Sequence, residues 1–101
     1  MASGFFCILQ IRLHFPHNGS LKGKRKELRP LKAALQRRFG AAVAETDHHD
    51  LWQRATLSAA IVARESGEVD QAAAAIERFV HSQFPDGASV ERRVRSTADI
   101  L

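Results

Sequence analysis

The sequence predicts a small α+β domain of four strands and two helices, in the order β-α-β-β-α-β. Three observations carry that reading. Two stretches alternate apolar and polar residues, two others repeat their apolar residues every three or four positions, and Gly, Pro and Asn clusters separate them. With 101 residues, 45 % of them apolar and 26 % charged, residues 1–101 form a single domain with a thin core, and disorder is not expected.

Residues 5–15 place Cys7, Leu9, Ile11, Leu13 and Phe15 on one side and Gln10, Arg12 and His14 on the other, the pattern of a half-buried strand. Pro16, His17, Asn18 and Gly19 form a turn cluster. Ser20 is a good N-cap for a helix running to about Phe39, which Gly40 closes. Pro30 conflicts with that helix. It removes the hydrogen bond to the Lys26 carbonyl and is expected to kink or split the helix, although the apolar period runs through it in phase.

Ala42–Thr46 reads as a short edge strand, and Asp47–Asp50 as a polar connection. From Trp52 to Arg64 alternation returns, with Ala55, Leu57, Ala59, Ile61 and Ala63 opposite Arg54, Thr56, Ser58 and Arg64. Ser66 and Gly67 begin a second helix, striped by Val69, Ala72, Ala73, Ile76, Phe79 and Val80 and stopped by Pro85. Val90 and Val94, opposed by Glu91, Arg93 and Arg95, make a short last strand, and residues 97–101 read as a tail. This order closes as a four-stranded antiparallel sheet with both helices on one face, the ferredoxin-like arrangement. The other sheet face stays open, with Arg12, Arg54, Arg64, Arg93 and Arg95 beside Thr56, Ser58, Ala60 and Val62. Such a half-apolar face suits a homodimer interface.

One cysteine, Cys7, excludes an internal disulfide, and its apolar neighbours make it a core residue. The apolar run from Phe5 to Leu9 lacks a basic leader and is too short to span a bilayer, so a cytoplasmic protein without a membrane segment is expected.

Charge is where function is written most plainly. Residues 22–38 hold eight of the fifteen cations and one of the eleven carboxylates, +7 against −3 for the remainder of the chain. With Leu21 at 0°, the apolar Leu28, Leu31, Leu35 and Phe39 lie between about 280° and 360°, while Lys22, Arg25, Lys26, Arg29 and Arg37 span about 40° to 160°. Solvated helix faces usually mix both signs; here like charges at i, i+4 oppose helix formation, which favours an anionic partner. A phosphate backbone suits such a stripe because its condensed counterions are released on contact.

Glu45, Asp47, His48, His49 and Asp50 carry metal-ligating chemistry, but adjacent strand histidines point apart and nothing completes a tetrahedral set. No nucleophile accompanies them, so neither catalysis, a metal nor a cofactor is expected. Trp52 reads as a core anchor at a strand start, with base stacking as the alternative. The open face lacks the paired aromatics with which RNA-recognition motifs stack bases, so that mode is disfavoured.

Two motifs, Ser20-Leu21-Lys22-Gly23-Lys24-Arg25 and Glu45-Thr46-Asp47-His48-His49-Asp50-Leu51-Trp52-Gln53-Arg54, resemble those of the YlxP-like family of small bacterial proteins, and the likeness covers nearly the whole chain. The resemblance implies a ferredoxin-like fold, a dimer, and a role linked to RNA or the ribosome through genes that neighbour translation and ribosome-maturation genes. It implies no activity. The family positions map to Ser20, Lys22, Lys24 and Arg25, and to Glu45, Asp47, His48, Trp52 and Arg54, whose roles are unknown. Gly23 replaces a usual acidic residue, His49 a common Gln, and Pro30 is unusual.

The expected function is therefore an RNA- or ribosome-binding domain whose Lys22, Lys24, Arg25, Lys26 and Arg29 contact phosphates. The alternative is a homodimeric module that offers the same helix to an acidic protein. A third reading, a small enzyme or metal protein built on Glu45, Asp47 and His48, is the weakest.

Overall fold

A computed structural model describes residues 3–101. Strand β1 spans Phe5–His14, helix α1 Leu21–Phe39, β2 Ala42–Asp47, β3 Arg54–Ala63, α2 Ser66–Gln83 and β4 Ala88–Ser96. The strands form one antiparallel sheet in the order β2-β3-β1-β4, with β2 and β4 at the edges. This is the expected ferredoxin-like arrangement.

The period-two pattern of β1 translates directly into burial. Cys7, Leu9 and Ile11 are fully buried, and Leu13 and Phe15 nearly so. The first four pair in register with Ile61, Ala59, Leu57 and Ala55 of β3, all buried on the same face. Leu28, Leu31 and Leu35 of α1 and Val69, Ala73, Ile76 and Val80 of α2 close over them as one core. Phe15 meets Phe84 edge-on at 5.6 Å between ring centres, which ties the end of β1 to the end of α2. Burial holds the Cys7 thiol above its ordinary pKa, so it stays protonated and acts as an apolar core group.

The ends of α1 are capped as the sequence suggests. Ser20 accepts a hydrogen bond from the Gly23 amide at 2.9 Å. Gly40 adopts φ 65°, a left-handed conformation that favours glycine, and its N–H donates to Leu35 O. Ser20→Ala should lower stability by about 1 kcal/mol, read as a lower urea midpoint at unchanged slope.

Three local expectations change. Pro30 does not split α1, because it sits exposed on the outer side of a helix that its leucines hold against the core. The last strand is nine residues long, since β4 pairs along nearly all of β1. The chain after β4 starts with an ordered turn, held to the domain at Thr97, while Ile100 and Leu101 stay exposed. Thr97–Asp99 form a 3-10 turn, and Gly4 and Thr97 exchange two hydrogen bonds of 2.9 and 3.0 Å.

Candidate nucleic-acid interface

Burying the leucines of α1 fixes the opposite side of the helix outward. Lys22, Arg25, Lys26 and Arg29 are all exposed there, and among the described residues none of them forms an ion pair. Arg37 is exposed as well. Arg38 lies off the stripe, its guanidinium 4.7 Å from the centre of the Phe79 ring. Arg25, Arg29, Lys32 and Gln36 line one wall of a groove of about 450 Å³, with Glu45 of β2 across from them.

Lys24 does not belong to this face. It is 2 % exposed. Its ammonium donates to His48 O at 2.8 Å and to His49 O and Arg54 O at 3.1 Å each, and lies 3.1 Å from the Glu45 carboxylate. Three carbonyls use all three of its protons, so none is left for a phosphate. The reason was present in the helical phase. At about 300° from Leu21, Lys24 falls inside the leucine arc, and only a long side chain could carry its charge through to a polar partner.

That partner is the loop between β2 and β3, and most of the second motif serves to build it. Glu45 supplies the countercharge to Lys24. Asp47 Oδ1 accepts from the His48 N–H at 2.7 Å, and His48 takes φ 63°, which turns its carbonyl towards Lys24. The His48 ring bonds Thr56 Oγ1 at 2.8 Å and roofs it over. Thr56 therefore lies on the sheet face where alternation puts it, opposite Arg12, but is covered and only 2 % exposed. His49 Nε2 meets Glu45 O at 2.9 Å. From the other side, Gln53 donates to Pro16 O and Asn18 O, and Asn18 to Ser20 O and Trp52 O. Gly23 makes room for this last clasp, since a Cβ there would collide with Asn18 Oδ1. The two motifs are thus one assembly, the first turn of α1 locked to the loop of residues 48–54.

Trp52 is the residue this assembly leaves out. It is 54 % exposed and Leu51 47 %, so Trp52 is not the core anchor its place at a strand start suggests. The strand proper begins at Arg54, and Trp52 lies in the preceding loop, where the backbone and not the side chain is held. Arg54 is exposed beside it. Among the described residues no group of three His, Cys, Asp or Glu side chains is placed to share a metal.

The open sheet face is divided. Towards one end Ile8 and Val62 are 46 % and 73 % exposed, next to Phe6 and Ala60 in register. Towards the other, Arg12 donates to Glu91 at 2.8 Å and to Gln10 at 2.6 Å, which holds the exposed Glu91 carboxyl below its ordinary pKa and takes Arg12 out of the set of free cations. No helix of the described residues is long and apolar enough to cross a membrane.

The family model described as "Protein of unknown function (DUF503)" matches residues 6–93. No curated protein matches the chain. Among solved structures, the de novo designed protein Foldit4 is similar at a TM-score of 0.60 and 12 % identity, over 91 % of this chain and 96 % of that one. At that identity the likeness shows the shared fold alone. A mutant of SnoaB, a cofactor-independent oxygenase from Streptomyces nogalater, is similar at a TM-score of 0.48 and 12 % identity, over 93 % of this chain and 92 % of that one.

Proposed function

We propose that this chain, which belongs to the family described as "Protein of unknown function (DUF503)", is an RNA- or ribosome-associated binding domain without catalysis of its own. One observation carries the reading: Lys22, Arg25, Lys26 and Arg29 are exposed together on α1, and no carboxylate pairs with them among the described residues. A face of one sign persists at a cost in helix stability that an anionic partner offsets. The resemblance to the YlxP-like family, with its translation-linked gene neighbours, agrees with RNA as that partner.

Binding to a structured RNA fragment, followed by fluorescence anisotropy across a salt series, tests this. Four phosphate contacts predict a slope of log K against log salt near −3, at about −0.7 to −0.9 per contact. A slope near zero overturns the reading.

A second reading is favoured by the apolar end of the open sheet face, Phe6, Ile8, Ala60 and Val62. It makes the protein a homodimer through that face that presents α1 to an acidic protein. If added RNA does not displace a co-purified protein partner, this second reading replaces the first.

A further inference from the structure

We infer that Trp52 is a stacking platform for an unpaired base of the RNA that α1 holds by its phosphates; the inference rests on the RNA reading above. An exposed indole on a loose loop would say little. This one is presented by a loop fixed on two sides. Lys24 takes the carbonyls of His48, His49 and Arg54, while Asn18 and Gln53 tie Trp52 O and the turn at Pro16 to the loop. Every one of those bonds goes to backbone, so they place the ring without using it. Among the described residues the indole N–H has no hydrogen-bond partner, and the ring is 54 % exposed over a concavity of about 400 Å³ shared with Asp50, Leu51, Gln53 and Arg54. Little conformational entropy remains to be lost when a flat ligand settles on it.

The occupant follows from what adjoins the ring. Glu45 and Arg25 line the basic groove, and Glu45 also pairs with the lysine that pins the loop, so one buried ion pair ties a wall of the groove to the loop that carries Trp52. Arg25, Arg29 and Lys32 line the groove, and Arg54 lies beside the aromatic ring. That combination fits a nucleotide strand, whose phosphates track cations while a base stacks. A duplex offers the phosphates but keeps its bases stacked inside, so the platform selects single-stranded or bulged RNA.

Trp52 is the chain's one tryptophan, so intrinsic fluorescence reports on this position alone. Oligo-uridylate and oligo-adenylate should quench its emission, and a blunt RNA duplex should not. Trp52→Ala should weaken binding of single-stranded RNA by roughly 5- to 150-fold, the usual loss for one stacked base, with duplex affinity unchanged. Trp52→Phe should keep most of the affinity. It also serves as the check on folding, alongside the circular dichroism of both variants. If Trp52→Ala binds like the parent and emission does not move, while charge reversal on α1 still abolishes binding, the platform is refuted and the RNA reading stands. Should charge reversal have no effect either, both fall. Emission that tracks protein concentration without RNA, together with an oligomer lost in Trp52→Ala, would make the ring a contact between copies and overturn the inference.

Discussion

Replacing Lys24 with methionine is expected to destabilise the domain by about 3 kcal/mol, at the lower end of the range for removing one partner of a buried ion pair. Methionine nearly matches the aliphatic length, so packing against Leu28 and its neighbours changes little, and the loss is polar. The carbonyls of His48, His49 and Arg54 lose their shared donor. The Glu45 carboxylate loses its countercharge, and its buried Oε2 has no hydrogen bond of its own to fall back on. Because Glu45 remains 21 % exposed, water reaches part of it, which sets the effect at the low end. For a domain of this length a loss of that size lowers the melting temperature by roughly 12 to 24 °C. Thermal and urea unfolding measure it. Glu45→Gln in the methionine background should recover part of the loss, since it removes the orphaned charge. A Lys24→Met variant within 1 kcal/mol of the parent would contradict the role assigned to this lysine.

The fold was legible because its signals are local. Alternation through Cys7, Leu9, Ile11 and Leu13, the leucine stripe of α1 and the caps at Ser20 and Gly40 are each decided within a few residues, and each burial choice agrees with the next. The expected site was less legible because it depends on contacts distant in sequence. Lys24 reads as one more cation in a basic run until its phase on the helix is weighed against its partner 21 residues later, Glu45. Thr56 has the alternation of an exposed residue, but the left-handed turn at His48 folds a ring over it. Trp52 misled in the opposite direction. Apolar size argues for burial, yet it lies two residues before β3 begins, beyond the point where alternation sets its orientation. What alternation and phase leave undecided is therefore concentrated in the loop of residues 48–54, where the proposed platform sits.

Reversing charge at Lys22, Lys26 and Arg29, each to glutamate, should abolish RNA binding while leaving the fold intact. The three substitutions take the formal net charge from +4 to −2, since each changes it by two. Every lost phosphate contact removes about 0.7 to 0.9 from the salt slope, so a parental slope near −3 should fall to about −0.8, the share of the remaining Arg25, with residual affinity below measurement at physiological salt. The effect on stability is expected to be small and can be argued in advance. All three residues are exposed and unpaired among the described residues, so no folded-state contact is broken. A carboxylate at position 22 enters the first turn, which now has no acidic residue, where the helix dipole favours negative charge. Reversal at position 29 turns the repulsion with Arg25 into attraction across one helical turn. The glutamates at 22 and 26 repel each other as the lysines did, which leaves that term unchanged. Binding and stability therefore move independently in this variant. A face kept basic by the demands of folding would show the reverse result, altered stability with RNA affinity preserved, and that outcome would remove the proposed function. Lys24 provides the internal contrast, being a cation of the same run that folding requires and that no phosphate can reach.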